Sequence, residues 1–67
     1  MTLNEVLKNA RKSSGLTLQQ IADDTGVSIS AISRYENGSR KIPIEYIRYW
    51  ALKGTKFNWE EIDLENK

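Results

Sequence analysis

The sequence predicts an all-α fold, a compact five-helix bundle in which residues 1–67 form one domain. Helix start signals, in which a small polar residue precedes an apolar stripe, recur along the chain, and glycines follow several of these stripes. No segment alternates between apolar and polar residues for long enough to indicate a strand. A chain of 67 residues is close to the smallest size at which an apolar core outweighs chain entropy, so each apolar position matters.

The first predicted helix begins after Thr2 and ends at Ser13-Ser14-Gly15. Thr2 can act as the N-cap, and Glu5, three residues later, can complete a capping box. Helical spacing predicts one buried face on this helix. That face is formed by Leu3, Val6, Leu7 and Ala10.

The second and third predicted helices occupy residues 17–38, TLQQIADDTGVSISAISRYENG. Thr17 and Gln20 can form a second capping box, and Gly26 can adopt the positive φ that ends the first of these two helices. Ser28 can cap the next helix. Because so few residues separate the two helices, they must meet at a fixed, steep angle, which is the helix-turn-helix geometry.

The two sides of the third helix differ in chemistry. Ala31, Ile32 and Tyr35 face inward by helical spacing. The outward positions carry no acid and a single cation, and they are Ile29, Ser30, Ser33 and Arg34. A helix that enters a groove lined by phosphates needs such a face, although the solvated side of an ordinary amphipathic helix has the same pattern.

Two further helices are predicted downstream. Pro43 suits the first turn of a fourth helix, which runs to Gly54. Asn58 and Glu61 have the spacing of a third capping box, so a fifth helix is predicted over residues 58–65.

Composition excludes several classes of function. The chain has no Cys and no His, which excludes disulfides, thiolate or imidazole metal sites, and Ser-His or Cys-His catalysis. The acidic pairs Asp23-Asp24 and Glu60-Glu61 are neighbours that do not face each other on a helix, so paired-carboxylate catalysis is not expected. We therefore predict no enzyme activity, cofactor, metal or small-molecule substrate. Since neither a membrane span of ~20 apolar residues nor a signal peptide is found, a cytoplasmic location is expected.

The net charge of +1 is too small to indicate a nucleic-acid partner, but the charges are unevenly distributed. Up to Lys41 there are six basic and four acidic residues, whereas from Ile42 onward there are four basic and five acidic residues. This distribution favours a mildly basic half that binds DNA, joined to an acidic tail.

The run of residues 17–38, with Arg40, Lys41 and Pro43 after it, resembles the phage-repressor and Cro-type (Xre-like) helix-turn-helix family. The segment Tyr35-Glu36-Asn37-Gly38 and the basic residues that follow make the resemblance specific. It implies a lambda-repressor-like DNA-binding domain in which the first helix of the motif covers a backbone strand and the second lies in the major groove. It also implies a transcriptional repressor that acts as a homodimer on a two-fold operator.

The outward face of the third helix is expected to contact bases. Arg34 is the best single candidate, because a guanidinium can donate two hydrogen bonds to guanine O6 and N7. Ile29 has no donor and can contact only a thymine methyl, and it departs from the polar side chain often found at this position in the family. Ser30 can bond to a base or to a phosphate, and Ser33 lies on the same face.

Further contacts are expected with the DNA backbone. Gln19 lies near the positive end of its helix, where it can donate toward a phosphate. The resemblance places backbone contacts in the loop after the third helix, although a loop with two basic residues is also commonly just solvated. Asn37 is expected to be a turn residue. The expected phosphate-contacting residues are Thr17, Gln19, Ser28, Ser39, Arg40 and Lys41.

Glu36 places an acid at the end of the DNA-facing helix, which is unfavourable unless a cation neutralises it. In the family that the chain resembles, an arginine near the end of the first helix meets a glutamate at this place, and Arg11 and Glu36 match those positions. The resemblance thus implies an ion pair that holds the third helix in position. The alternative is that both side chains are solvated and unpaired.

A homodimer is expected, because one domain of this size covers too few base pairs for tight specific binding. Residues 17–41 are assigned to DNA, so the contact should lie at the other end of the molecule. The expected interface residues are Phe57, Trp59, Ile62 and Leu64, of which Ile62 is the most readily assigned to the core. The alternative function is an antitoxin or adaptor that shares the fold and binds a protein partner. The residues that keep this alternative open are Tyr46, Tyr49, Trp50, Phe57 and Trp59.

Overall fold

The computed structural model describes residues 1–62, and over that range the chain forms four α-helices and no strand. The all-α prediction is confirmed for these residues. The helices are α1 (Leu3–Ser14), α2 (Leu18–Thr25), α3 (Ile29–Asn37) and α4 (Ile44–Leu52). None of the helices in the described part of the chain has the length and apolar character needed to cross a membrane.

The helix boundaries follow the capping signals in the sequence. Thr2 Oγ1 accepts a hydrogen bond from the Glu5 N–H at 3.4 Å, and Glu5 Oε1 accepts one from the Thr2 N–H at 3.0 Å. Thr17 and Gln20 form the second capping box in the same way. Gly15 ends α1 with a φ of 72°, and its N–H donates to carbonyls of the last turn. The predicted starts of α1 and α2 are therefore confirmed.

Side chains from all four helices form one apolar core. α3 packs against both α1 and α2, and α4 packs on α1. The side chains of Ile32 and Trp50 have no exposed surface. The buried members of the core are Leu3, Leu7, Ile21, Ala31, Ile32, Tyr35, Tyr46, Trp50 and Ile62. Since α3 has contacts with two helices on one side only, its other side is left open to solvent.

The fourth helix lies where the sequence predicted it, but it is shorter than predicted at both ends. Pro43 is the residue before the helix rather than part of its first turn, and it has the extended conformation of an N-cap. α4 ends at Leu52, before Gly54. Ile44 and Leu52, at the two ends of α4, are 70% and 78% exposed, so the outer side of this helix contributes little to the core.

The predicted fifth helix over residues 58–65 is wrong for the part of it that the structure describes. That part is a turn, in which the Glu61 N–H donates to the Asn58 carbonyl at 3.0 Å. Asn58 Oδ1 accepts from the Glu60 N–H at 3.3 Å, so the predicted capping box does not form. An asparagine side chain that bonds to a nearby N–H in this way favours a turn over a helix, and a helix of about eight residues is marginal without a cap. The remainder of the prediction lies outside the described residues.

Most of the aromatic residues that left binding to a protein partner possible are packed within the domain itself. Tyr46 and Trp50 are buried, and Tyr49 and Phe57 are partly buried against the core. Trp59 differs from them, because it is 49% exposed.

A hydrogen bond at the surface joins α4 to α2. The Tyr49 hydroxyl donates to Asp24 Oδ2 at 2.9 Å, and Lys53 Nζ lies 5.2 Å from the centroid of the Tyr49 ring. Partial burial, together with the hydrogen bond to the Asp24 carboxylate, raises the pKa of Tyr49 to about 12, because both disfavour the phenolate. Asp24 thus contributes to packing between helices.

Candidate nucleic-acid interface

Residues 26–28 connect α2 to α3, and each of them has a defined role. Gly26 has a φ of 77°, and its N–H donates to the last turn of α2. Val27 is partly buried against the core, and its N–H donates to Thr25 Oγ1 at 3.2 Å. Ser28 Oγ accepts from the Ala31 N–H at 3.2 Å and so caps α3. These bonds and contacts fix the start of α3 relative to α2.

One side of α3 lies in the core and the other faces solvent. Ile32 is fully buried and Tyr35 is 6% exposed. Residues three and four positions apart on a helix are neighbours on its surface. The structure therefore brings the four predicted base-contacting residues together on one exposed face, which we call the outward face of α3 and which comprises Ile29, Ser30, Ser33 and Arg34.

The chemistry of the outward face changes along the helix. Ile29, the first residue of α3, is 40% exposed and lies outside the core cluster. Ser30 Oγ lies 3.5 Å from Ser28 Oγ, so hydroxyl groups are close together near the helix start. Arg34 forms no ion pair within residues 1–62. The face thus offers apolar surface at its N-terminal end, hydroxyl groups beside it, and an available guanidinium toward its C-terminal end.

Three of the predicted phosphate contacts lie at the N-terminal ends of α2 and α3. Thr17 and Ser28 are N-caps with exposed side chains. The free N–H groups of a first helical turn and the positive end of the helix dipole attract anions at such positions. Gln19 is also exposed, but its Nε2 donates to Asp23 Oδ1 at 2.8 Å. The second N–H of this amide is left to donate to a phosphate.

The loop between α3 and α4 carries the other three predicted phosphate contacts. Asn37 Oδ1 accepts from the Ser39 N–H at 2.9 Å and from Ser39 Oγ at 2.7 Å, so the predicted turn role of Asn37 is confirmed. Gly38 ends α3 with a φ of 81°. Arg40 and Lys41 follow, both exposed, and neither forms an ion pair in the part of the chain that the structure describes. Two available cations therefore follow the C-terminal end of α3.

Arg11 and Glu36 meet between α1 and α3. Arg11 Nε donates to Glu36 Oε2 at 2.7 Å, and Nη2 donates to Oε1 at 3.1 Å. Nη1 donates to the Leu16 carbonyl at 3.2 Å, so the guanidinium also holds the segment between α1 and α2. Hydrogen bonding to the Glu36 carboxylate raises the pKa of Arg11 above its ordinary value, despite an opposing contribution from burial. The acid at the end of α3 is thus neutralised.

Asn4 is a positioning residue that was not predicted from the sequence. Its Nδ2 donates to the Glu36 carbonyl at 3.2 Å, and its side chain lies against Gly38. Carbonyls of the last helical turn lack partners inside the helix, so this bond satisfies one of them. Asn4 precedes Arg11 by seven positions, which places both side chains on the same face of α1. That spacing shows only that Asn4 shares a face with Arg11, and it does not identify the Glu36 carbonyl as its partner.

Of the residues assigned to a dimer interface, the three that the structure describes do not form one exposed patch. Ile62 is 7% exposed and belongs to the core, so its assignment to the interface is wrong. Phe57 is partly buried, and its ring stacks on Trp59 with centroids 5.0 Å apart. Trp59 is the exposed member of this pair. The prediction for Leu64 lies outside the described residues.

A family model described as helix-turn-helix matches residues 7–48, which is more than half of the chain. The matched region runs from within α1 to within α4. It includes the turn at residues 26–28, the outward face of α3, both members of the ion pair, and the basic loop. No curated protein and no solved structure matches the chain.

Proposed function

The chain belongs to the Xre-like helix-turn-helix family, and from that premise we propose that it is a sequence-specific DNA-binding transcriptional regulator. The simplest regulator of this kind is a small Cro-like repressor that acts in the cytoplasm on a two-fold operator. The observation that carries the proposal is the outward face of α3, which is exposed and free of acids and ends in an available arginine.

In this function α3 is the recognition helix and lies in the major groove. The residues on the groove side of such a helix contact base edges, and the loop that follows α3 is placed near the backbone. Arg34 donates to guanine O6 and N7, and the N-termini of α2 and α3 face phosphates. Arg40 and Lys41 add charge that attracts phosphates without reading sequence. The Arg11–Glu36 pair and Asn4 hold the helix in the orientation that this binding needs.

The proposed active form is a homodimer. One copy presents one recognition helix, whereas two copies about one DNA turn apart double the number of base contacts. Trp59 is the proposed centre of the dimer contact, with Phe57 supporting it, because it is a large aromatic side chain exposed outside residues 17–41. Aromatic residues are enriched at the centres of protein interfaces.

Selection of binding sites from random duplex DNA tests the function directly. The chain should enrich one two-fold sequence and bind it more tightly than random duplex by a factor of at least ~10³. Ser33→Glu should abolish enrichment, because it places an acid on the outward face of α3. Ser13→Glu is the matched control, since it makes the same change at an exposed serine of α1 and should leave enrichment intact.

Both variants should retain the helical circular dichroism and unfolding transition of the parent chain. If the folded parent chain enriches no sequence and does not bind duplex DNA at low salt, the proposed function is wrong. The antitoxin or adaptor alternative would then be favoured.

A further inference from the structure

Ile29, at the start of α3, is not part of the apolar core. It is 40% exposed and lies outside the core cluster, whereas Ile32 in the same turn is fully buried. An isoleucine side chain can neither donate nor accept a hydrogen bond. The one feature of a base edge in the major groove that suits it is a C5-methyl group, which thymine carries and cytosine lacks.

The amide side chains near α3 are bonded within the chain. Bidentate reading of adenine needs an amide oxygen and an amide nitrogen together. Gln19 and Asn37 each hold one amide atom in an internal hydrogen bond, and Gln20 uses its amide oxygen in the capping box of α2. Ile29 itself offers no group to the adenine edge, so the contact that it can make with a thymine–adenine pair is with the thymine methyl group.

We propose that Ile29 reads a C5-methyl group in the major groove, so that one thymine of each operator half-site is recognised by its methyl group. The proposal rests on the proposed function, because it requires α3 to lie against bases. 5-Methylcytosine carries a methyl at the same ring position, whereas uracil and cytosine carry none. Binding therefore also depends on whether a cytosine placed at this position is methylated.

The test uses the full chain and a duplex carrying one selected half-site. Each thymine is replaced in turn by deoxyuridine, and the dissociation constant is measured by fluorescence anisotropy. Burial of one methyl-sized group changes an equilibrium constant by about fourfold. One thymine per half-site should therefore bind about fourfold more weakly when its methyl is removed. At that position 5-methylcytosine, paired with guanine, should bind about fourfold better than cytosine.

Variants of the chain assign the effect to one side chain. Ile29→Ala should bind the thymine and deoxyuridine duplexes equally well. Ile44→Ala removes the same atoms from an exposed site on α4 and should keep the fourfold difference. Ile29→Ser has no methyl group and should also lose the discrimination, so it replaces the alanine variant if that variant does not fold.

The outcomes separate this proposal from the function on which it rests. If the parent chain binds its selected site and no thymine responds to loss of its methyl, Ile29 does not read a methyl group and the proposed function stands. Full methyl discrimination by folded Ile29→Ala would likewise overturn the proposal. If the chain selects no site, the proposed function fails and this proposal fails with it.

Discussion

The guanidinium of Arg11 contacts both carboxylate oxygens of Glu36, at 2.7 and 3.1 Å, and so ties α1 to the last turns of α3. The Glu36 side chain is 7% exposed and that of Arg11 is 16% exposed. Removing two charges from water costs as much as their attraction returns, so the pair adds little net stability. Its effect is on position, because either group alone would be an uncompensated charge at this interface.

Removing one member of the pair should therefore lower the free energy of unfolding by more than removing a surface ion pair would. Arg11→Met and Glu36→Gln should each lower the free energy of unfolding by about 3 kcal/mol, and the double variant should lose less than the sum. Urea unfolding of all four proteins gives the coupling energy. Lys12→Met, at the exposed neighbouring position, should change stability little. A coupling energy near zero would mean that the two side chains do not meet in solution.

Arg34 should affect specificity more than overall affinity. Arg34→Ala should cost about 1–3 kcal/mol per half-site on the selected operator and much less on random duplex, because the proposed base contact would form only on the operator. Competition binding with both duplexes measures the difference. Arg48→Ala, at an exposed arginine of α4, is the control and should leave both affinities unchanged. Equal losses on the two duplexes would assign Arg34 to a phosphate.

Arg40 and Lys41 should behave in the opposite way. Replacing either by glutamine should weaken all duplexes alike, and the slope of log affinity against log salt should fall by about 1 for each phosphate that the loop no longer neutralises. The double variant Arg48→Gln and Lys56→Gln removes the same charge from exposed positions outside the proposed interface. If the Arg40 and Lys41 double variant keeps the parent salt slope, this loop does not touch DNA.

Tyr49 should make the fold sensitive to alkaline pH. Its pKa rises from 10.0 to about 12, mainly through burial and then through its bond to Asp24. Between about pH 10 and 12 the folded state therefore keeps a proton that the unfolded state loses, so stability present below pH 10 declines as the pH rises through 12. At neutral pH, Tyr49→Phe should lower the free energy of unfolding by about 0.5–1 kcal/mol, because the hydrogen bond to Asp24 is lost. When the pH is raised above 10, the free energy of unfolding should fall less for this variant than for the parent.

Urea unfolding of both proteins at neutral pH and at about pH 11 measures this difference. The other groups that titrate in this range are shared by the two proteins, so they cancel in the comparison. Parallel loss of stability in parent and variant would show that the Tyr49 hydroxyl does not contribute to it.

Trp59 should affect binding to the full operator but not binding to a half-site. Trp59→Glu should keep the fold and half-site affinity while abolishing cooperative occupation of the full site. A patch this small buries less than the ~1,200 Å² of a stable interface, so the free dimer should be weak and form on DNA. Gel shifts with half and full sites, together with sedimentation velocity, measure both properties.

Leu52→Glu is the control for the Trp59 variant, because Leu52 is a 78% exposed apolar residue on α4. It should leave cooperative binding unchanged. Unfolding of Trp59→Glu would assign this tryptophan to the core. Cooperative binding that survives in the folded Trp59 variant would place the dimer contact elsewhere.

Helix starts and the exposed side of α3 could be predicted because they depend on short distances along the chain. Thr2, Thr17 and Ser28 each bond to an N–H three residues on. The wrong prediction of a capping box at Asn58 also concerned residues a short distance apart along the chain. Its side chain had two N–H groups within reach and accepted from Glu60 rather than Glu61, and spacing alone could not choose between them.

The sequence by itself determined the four helices, the N-caps of α1, α2 and α3, and the chemistry of the outward face, because capping and helical periodicity act within one or two turns. Only the tertiary structure decided that Asn4 meets the Glu36 carbonyl, 32 positions away, and that Ile62 completes the core rather than an interface. It also decided that Tyr49 bonds to Asp24. Contacts of this kind depend on how distant elements pack to exclude water, and the spacing of residues within one element does not encode that packing.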